Sequence, residues 1–157
     1  MKIQKTNALR IIESASVPYE TYSYSVEEDA LDAITVANKI GAPAESVFKT
    51  LIVVSDKNTY YTFVIPGNFE LNLKKSANVA SAKKLELLPL KELQPLTGYI
   101  RGGCSPIGMK KLFPTFIDET AQLHDFIFVS AGVRGLQVKI KPNDLLRLTN
   151  GIFADLV

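Results

Sequence analysis

A lysine inside an otherwise apolar segment is the first residue whose position suggests chemistry. Lys49 lies in the predicted strand Phe48–Val54, where both faces carry mostly apolar side chains. Because strand side chains alternate between two faces, this lysine lies either at the mouth of a sheet or in a pocket. In a pocket, its ammonium group would bind a phosphate or a carbonyl oxygen. At a strand end, the same side chain would simply extend its charge into water.

A second candidate is the glycine-rich loop that runs from Gly98 to Gly108. It has the sequence GYIRGGCSPIG, with four glycines and one proline in eleven residues, which is typical of a shaped turn. The adjacent pair Gly102 and Gly103 would let backbone N–H groups approach a ligand closely, because no Cβ atom intervenes. The spacing matches neither a dinucleotide-binding nor a nucleotide-phosphate loop, so a plain turn is an equally good interpretation.

A third candidate is the segment between two predicted strands, Val129–Gly135, with the sequence VSAGVRG. Ser130 offers a hydroxyl group, Gly132 offers backbone donors, and Arg134 offers a planar donor that suits a phosphate or a carbonyl oxygen. A hairpin with a glycine bulge explains the same residues without any ligand.

The sequence contains one cysteine and one histidine. A single cysteine excludes an intramolecular disulfide and multi-cysteine zinc sites, and a single histidine excludes two-histidine metal motifs. Cys104 lies in the glycine-rich loop with no histidine near it in sequence, which favours a small buried group over a catalytic thiol. His124 is interpreted as a turn or surface residue. We therefore expect no metal and no cofactor.

Charge is unevenly distributed along the chain. The net charge is +2, from 18 basic and 16 acidic residues, but residues 71–111 contain eight basic residues against two acidic ones. This basic segment includes three doublets, Lys74-Lys75, Lys83-Lys84 and Lys110-Lys111. Such a segment suits a polyanion, because neutralised phosphates release counterions. A solvated lysine face that maintains solubility is the alternative.

The elements that would position these residues are helices and strands interspersed along the whole chain. Apolar residues at helical spacing predict helices at 6–16, 25–40, 71–82, 89–96 and 142–148. Alternating or buried-type segments predict strands at 19–24, 48–54, 59–65, 115–117, 125–130, 136–140 and 152–154. Ser25 and Glu28 have capping-box spacing at the start of the second helix, which Gly41 ends. We expect one α+β domain over residues 1–157, with a mixed sheet that curls toward a barrel and is flanked by helices.

The composition is that of an ordinary globular domain, with 46% hydrophobic and 22% charged residues. The N-terminal segment has no apolar run of signal-peptide length, and no segment approaches the roughly 20 apolar residues of a membrane helix. We therefore expect a cytoplasmic protein that has no membrane partner.

Taken together and in order, these segments resemble the YbaK/EbsC family of aminoacyl-tRNA deacylases. The resemblance covers nearly the whole chain and rests on the ordered set rather than on any one piece. Its segments are Lys5–Ala8, Val17–Glu20, Phe48–Leu51, Leu71–Lys75, Thr97–Gly108, Asp118–Ala121, Val129–Leu136 and Pro142–Leu146. The resemblance is loosest at residues 25–34, where the family's pocket residues have no clear counterpart among Val26, Asp29, Asp32 and Ala33. Part of the pocket that selects the amino acid is expected in this segment.

The resemblance implies a curled, barrel-like sheet flanked by helices, similar to the editing insertion domain of bacterial prolyl-tRNA synthetases. It also implies hydrolysis of mischarged tRNA in trans, typically of Cys-tRNA(Pro). The positions that match the family's substrate pocket are Tyr24, Lys49, Gly102 and Ser130, with Arg134 close by. Lys49 would contact the phosphate or ribose of the terminal adenosine, and Gly102 would present its backbone to the aminoacyl ester.

Further residues are expected to bind substrate around this pocket. They are Gly103, Ser105, Pro106 and Gly132 in the two loops, and Lys74, Lys75, Lys110 and Lys111 in the basic segment. The lysines would meet the phosphates of the tRNA acceptor stem, and Tyr24 or Tyr99 would stack on adenine. The expected partner is therefore tRNA, through its acceptor end, with prolyl-tRNA synthetase as a further candidate.

The scarcity of catalytic side chains fits a reaction whose nucleophile belongs to the substrate. The ester of an aminoacyl-tRNA is already activated, and a cysteinyl thiol can attack its own carbonyl. The protein then needs only to position the ester and stabilise the oxyanion. Three alternatives stay open: a deacylase for another residue such as Ala on tRNA(Pro), a non-catalytic module that binds tRNA or a synthetase, and a small-molecule-binding domain.

Overall fold

The computed structural model describes residues 5–27 and 31–157. Helices and strands follow one another there much as the periodicity of the sequence predicts. The helices are α1 (Asn7–Ser14), α2 (Ala33–Ile40), α3 (Leu73–Val79), α4 (Leu90–Thr97) and α5 (Pro142–Thr149). The strands are β1 (Glu20–Ser23), β2 (Phe48–Ser55), β3 (Tyr60–Pro66), β4 (Leu85–Leu87), β5 (Thr115–Asp118), β6 (Ile127–Ser130), β7 (Leu136–Ile140) and β8 (Ile152–Ala154). No helix in these ranges is long and apolar enough to cross a membrane.

The strands form two sheets rather than one closed barrel. β4-β2-β3-β5-β8 make a mixed sheet, in which β2 and β3 form an antiparallel hairpin and β5 lies parallel to both β3 and β8. β1-β7-β6 make a three-stranded antiparallel sheet. A parallel bridge between Val47 and Phe128 connects the two sheets. The α+β class and the mixed sheet are confirmed, but the expected barrel does not close within the described residues.

The barrel stays open because β2 is only partly covered along one edge. β4 pairs with Val53–Ser55 at the end of β2, and the amide of Leu88 donates a further hydrogen bond of 2.9 Å to the carbonyl of Ile52. At the other end of β2, Val47 makes the bridge to β6 just before the strand begins. The stretch of β2 between these points, Phe48–Leu51, therefore has a free edge, and Lys49 lies in it.

The main hydrophobic core lies on one face of the three-stranded sheet. α1 contributes Ala8, Leu9 and Ile12, whose spacing of three to four residues places them on one side of the helix. The strands β6 and β7 contribute their alternate residues Ile127, Val129, Leu136, Val138 and Ile140. The intervening residues of these strands, including Ser130 and Gln137, therefore point to the opposite face.

The helix α2 covers that opposite face. Its residues Val36 and Ala37 are buried in a cluster with Val47 and Phe128. A helix therefore shields the polar residues of this face from water. In the sequence, the alternation of polar and apolar residues along β6 and β7 instead predicts that this face is exposed to solvent.

The capping box expected at Ser25 and Glu28 is wrong for this helix. α2 begins at Ala33, and the carboxylate of Asp32 accepts a hydrogen bond of 3.2 Å from the amide of Thr35. Asp32 is as strong an N-cap residue as Ser25 and stands directly before the helix, so the first turn forms there. Glu28, and Asp29 of the segment where the resemblance is loosest, lie outside the described residues.

Candidate functional site

A cavity of about 410 Å³ opens along the free edge of β2. Its lining includes Val47–Ile52, the start of α2 at Leu31–Ala33, and Arg101, Gly102 and Cys104 of the glycine-rich loop. An apolar rim is formed by Leu87, Leu88, Leu90 and Leu93. The volume is typical of a site that holds one small ligand.

Four residues predicted for the substrate pocket line this cavity. Tyr24 follows β1, Lys49 lies in β2, Gly102 is in the glycine-rich loop, and Ser130 ends β6. The bridge between the two sheets lies two residues before Lys49 on one strand and two residues before Ser130 on the other. Because that bridge is parallel, it brings these two positions to the same level of the cavity.

Lys49 brings a positive charge into the cavity, and no partner for it lies within the described ranges of the chain. Its ammonium group makes no ion pair or side-chain hydrogen bond within residues 5–27 and 31–157. Burial lowers the pKa of Lys49, and the charge of Glu70 opposes this effect only in part. A ligand oxygen that carries negative charge would restore the electrostatic stabilisation that Lys49 loses on leaving water.

The glycine-rich loop packs directly against the loop after β6. Gly102 has a φ of +84°, and a Cβ atom there would lie 3.2 Å from Leu31 and 3.4 Å from Nε of Arg134. A Cβ atom on Gly103 would lie 3.0 Å from the backbone nitrogen of Arg134. Arg134 also donates a hydrogen bond of 2.7 Å from Nε to the carbonyl of Arg101. Gly103 and Arg134 thus hold the two loops together, and neither is part of the cavity lining.

The amides of the two central glycines differ in what they are free to bind. The N–H of Gly103 donates to the carbonyl of Ile100 at 2.9 Å and closes a turn. The N–H of Gly102 has no such partner in the part of the chain that the structure describes, and Gly102 lines the cavity. Gly102 is therefore the glycine whose amide is available to a ligand.

The hydroxyl of Ser130 is held by the backbone of its own loop. Its Oγ accepts a hydrogen bond of 3.1 Å from the amide of Gly132, and the residue is almost fully buried. Gly132 has a φ of +102°, and a Cβ atom there would lie 3.0 Å from the ring of Tyr99. Gly132 is thus needed for the shape of the turn and does not line the cavity, while the hydroxyl proton of Ser130 is left to donate to a ligand.

Tyr99 lies in the interior, so its expected stacking on adenine is wrong. Its hydroxyl donates a hydrogen bond of 2.6 Å to the carbonyl of Ile107, and burial raises its pKa to about 12. Ser105 and Pro106 are buried in the same turn, where Oγ of Ser105 accepts from the amide of Ile107 at 3.2 Å. These residues stabilise the glycine-rich loop and do not line the cavity, whereas Tyr24 does.

Cys104 lines the cavity as a thiol rather than a thiolate. Burial raises the pKa of Cys104 to about 12, so the group keeps its proton at neutral pH. The ring of His124 lies edge-on to Phe48, with 6.4 Å between ring centroids, and is not part of the cavity lining. This environment favours a small apolar group over a catalytic thiol, as the sequence predicts, although Cys104 is half-buried and borders the cavity.

The lysine doublets lie outside the cavity. Lys75 forms an ion pair with Asp155 at 3.0 Å and thereby holds the C-terminal segment against α3. Of the basic residues in the described chain, Lys49 and Arg101 line the cavity. The exposed lysines of the doublets are Lys74, Lys83, Lys84, Lys110 and Lys111.

Three polar residues of the cavity were missed by sequence reasoning, Thr50, Arg101 and Gln137. The Oγ1 of Thr50 and the Oε1 of Gln137 are buried and have no hydrogen-bond partner within residues 5–27 and 31–157. The alternation of β7 is the signal that was available, because it places Gln137 opposite the core. That signal does not show that another element covers the residue.

Comparison with known proteins decides the family. The profile of the family described as "Aminoacyl-tRNA editing domain" matches residues 27–148. The chain belongs to this family. EbsC of Enterococcus faecalis, named as a candidate Cys-tRNA(Pro)/Cys-tRNA(Cys) deacylase, is 52% identical to this editing-domain protein over 153 residues. The alignment covers 98% of this chain and 93% of the relative.

Two further similarities concern this editing domain. A proline--tRNA ligase of Shouchella clausii is 33% identical over 82 residues, which are 52% of this chain and 14% of the ligase. A crystal structure described as a candidate trans-editing enzyme for prolyl-tRNA synthetase has a TM-score of 0.82 at 24% identity, covering 96% of this chain and 94% of that one. The structural match shows a shared fold. Family membership confirms the resemblance and the enzyme class that it implied, aminoacyl-tRNA editing.

Proposed function

We propose that this editing-domain protein deacylates mischarged tRNA in trans, with Cys-tRNA(Pro) as its substrate. The supporting observation is that one cavity contains the ammonium group of Lys49, the amide of Gly102 and the hydroxyl of Ser130. The first two have no hydrogen-bond partner among the residues that the structure describes. Three such donors suit the oxygens of an aminoacyl ester and of the ribose that carries it. The name of the E. faecalis relative supports cysteine as the amino acid that is removed from the tRNA.

The cavity would receive the acceptor end of the tRNA and leave the stem outside. A volume of about 410 Å³ is of the size that holds an adenosine with its amino acid, but not a base-paired helix. Tyr24 would offer its ring to the adenine, and the exposed Arg101 would meet the terminal phosphates. The phosphates of the stem would be bound by the exposed lysines of the doublets, which include Lys74, Lys110 and Lys111. Lys75, which is paired with Asp155, would add charge beside them.

In the proposed reaction, the thiol sulfur of the cysteinyl group attacks the carbonyl carbon of its own ester. The new S–C bond replaces the bond to the ribose oxygen, which takes up the thiol proton, and the products are a β-thiolactone and free tRNA. Water then opens the thiolactone to cysteine. Lys49 and the amide of Gly102 stabilise the charge that develops on the carbonyl oxygen, and Ser130 orients the ester. Cys104 takes no part, because its thiol is protonated.

A panel of charged tRNAs tests the proposed substrate. Purified protein is mixed with tRNA(Pro) that carries labelled Cys, Ala or Pro, and the release of the amino acid is followed with time. We expect kcat/KM for Cys-tRNA(Pro) to exceed the other two values at least tenfold, which corresponds to about 1.4 kcal/mol in transition-state stabilisation. Preferred cleavage of Ala-tRNA(Pro) would assign another substrate, and binding without any cleavage would contradict an editing enzyme.

We also propose that prolyl-tRNA synthetase is a partner that delivers the mischarged tRNA. Its support is the 33% identity with part of a proline--tRNA ligase. Size-exclusion chromatography of the protein with prolyl-tRNA synthetase, with and without tRNA(Pro), measures the association directly. Co-elution that requires tRNA is the expected result, and separate elution in both conditions would contradict it.

A further inference from the structure

Unpaired buried polar atoms are concentrated in the cavity. Three side-chain oxygens are buried without a hydrogen-bond partner in residues 5–27 and 31–157, and two of them, Oε1 of Gln137 and Oγ1 of Thr50, belong to residues that line it. The third, Oγ of Ser76, lies in α3. Buried polar atoms are rarely left unpaired in folded proteins, because the lost hydration is not replaced. Two such atoms in one cavity are positions where a bound ligand can supply the missing partners.

Gln137 specifies which kind of ligand group is missing. Its carbonyl oxygen only accepts hydrogen bonds, whereas the hydroxyl of Thr50 both donates and accepts and so specifies neither. Gln137 is the cross-strand neighbour of Ser130 and of Tyr22, and it is only 5% exposed. With the side-chain amide of Gln137 in this orientation, the position suits a ligand that presents an N–H or O–H donor on the side of the cavity where Gln137 and Ser130 lie.

We propose that the side-chain amide of Gln137 accepts a hydrogen bond from the α-ammonium group of the aminoacyl ester, and so selects substrates whose amino group is free. The inference rests on the proposed function and extends it to one atom of the substrate. The α-ammonium is the strongest donor of such an ester, while Lys49, Gly102 and Ser130 all offer donors to it. Asp32 also lines the cavity, but it is exposed and its Oδ1 already caps α2.

A neutral acceptor suits this position because Lys49 shares the cavity. A carboxylate at position 137 would attract the ammonium group of Lys49 and draw it away from the ester oxygens. The amide oxygen of Gln137 binds one N–H of the substrate without neutralising Lys49. Selection of the amino group and stabilisation of the ester are thereby carried by separate residues.

Uncleavable substrate analogues test this inference independently of catalysis. The probe is 3′-deoxy-3′-(cysteinylamino)adenosine, in which an amide replaces the ester, and its N-acetyl form lacks the ammonium group. Calorimetric titration gives the Kd of each analogue for the wild type and for Gln137→Met, which keeps the side-chain length but removes the acceptor. The matched control is Lys139→Met, since Lys139 points to the same side of β7 but is not part of the cavity lining.

The wild type and Lys139→Met are expected to bind the free-amino analogue at least tenfold more tightly than the N-acetyl analogue. Gln137→Met is expected to lose this preference by losing affinity for the free-amino analogue alone. Gln137→Ser, whose oxygen is too short to reach, gives the same expected loss if the methionine variant fails to fold. An equal loss for both analogues, or no loss for either, would overturn the inference.

The two proposals fail in distinguishable ways. Wild-type protein that binds the free-amino analogue selectively but leaves Cys-tRNA(Pro) intact would contradict the proposed function and support the role of Gln137. Protein that cleaves Cys-tRNA(Pro) and N-acetyl-Cys-tRNA(Pro) equally well, with no preference between the analogues, would support the function and overturn the role of Gln137.

Discussion

At the scale of single residues, the electrostatics of the cavity depend on Lys49. Its ammonium group has lost part of its hydration, and Glu70 compensates only in part, so the pKa of Lys49 falls below its ordinary value of 10.5. A group in this state destabilises the fold and gains from a ligand oxygen. The same lysine thus lowers the stability of the fold and favours the binding of an anionic ligand, a combination that is typical of functional sites.

Replacement of Lys49 by methionine is expected to lower kcat/KM for Cys-tRNA(Pro) at least 100-fold. The side chain keeps its length but no longer holds the ester, and misplacement of this kind costs roughly that factor. Lys57→Met, in the turn between β2 and β3, is the control and should act like the wild type. Single-turnover deacylation measures both variants, and a Lys49→Met rate close to that of the wild type would exclude the proposed role.

The same variant has a predictable effect on stability against pH. Below the folded-state pKa, Lys49 is charged in both states, and the folded protein bears the full desolvation penalty. Between that pKa and 10.5 the folded state binds fewer protons than the unfolded state, so this penalty is relieved as the pH rises. Urea unfolding of wild type and Lys49→Met at pH 7 and pH 10 should show a stability difference that moves in favour of the wild type at pH 10. A pH-independent difference would contradict the shift.

Single residues also show how far sequence reasoning reached. Lys49 was identifiable because a lysine interrupts an apolar strand, and Ser130 and Gly102 because their loops have unusual composition. Gln137 fitted an ordinary alternating strand, and only the cover supplied by α2 makes it a buried cavity residue. Ser105 and Pro106 have the composition of a binding loop, yet both are buried beside Tyr99. Sequence therefore located the loop but not which of its residues face the cavity.

At the scale of elements, the cavity exists because three segments of the chain meet around it. β4 pairs with only the end of β2, α2 begins at Ala33, and the glycine-rich loop rests on the loop after β6. Of these, the short strand Leu85–Leu87 was not predicted, since three residues are too few to show a period. The position of the α2 cap was wrong because Ser25 and Asp32 are both good N-cap residues, and local preference does not decide between them.

Gly102 belongs to the glycine-rich loop and lines the cavity. Its substitution by alanine, compared with a control glycine, distinguishes an effect of backbone strain on stability from an effect on the deacylation rate. Gly102→Ala places a methyl group against Leu31 and Arg134 at a φ of +84°. Gly41→Ala is the matched control, because its φ is +72° but nothing lies within 4 Å of the new atom. Both variants should lose about 1–2 kcal/mol of unfolding free energy from the left-handed backbone.

Only Gly102→Ala is expected to lower the rate of deacylation, because it would also displace the amide that we propose contacts the substrate ester. Thermal or urea unfolding and single-turnover deacylation, measured on both variants, compare the two effects. Equal activity of the two variants would show that the amide of Gly102 does not contact the ester.

At the scale of the whole molecule, the surface that we propose binds the tRNA stem lies in a basic segment, outside the cavity that we propose binds the amino acid. The first 70 residues contain six basic and nine acidic residues, whereas residues 71–111 contain eight basic and two acidic ones. The exposed lysines of the doublets lie in that basic segment but outside the cavity.

The α+β class and the mixed sheet were predictable from the periodicity of the sequence. The failure of the barrel to close was not, because it depends on where β4 stops along β2.

The salt dependence of tRNA binding tests the basic segment. Simultaneous replacement of Lys74, Lys110 and Lys111 by glutamine should flatten the slope of log K against log salt by roughly 0.7–0.9 for each phosphate that is no longer neutralised. The control replaces Lys5, Lys57 and Lys141, which are also exposed but lie outside the segment. Filter binding at several salt concentrations measures both, and equal slopes for the two triple variants would show that the segment does not bind the tRNA.

The proposed mechanism requires that the substrate supplies the nucleophile, and a comparison of Cys-tRNA(Pro) with Ser-tRNA(Pro) tests this requirement. The two aminoacyl groups differ by one atom, sulfur against oxygen, and a neutral hydroxyl is a far weaker nucleophile than a thiol with its accessible thiolate. Single-turnover deacylation by the wild-type protein should therefore be at least 100-fold faster for the cysteinyl ester, about 2.7 kcal/mol in barrier height. Cleavage of both esters at the same rate would contradict the mechanism.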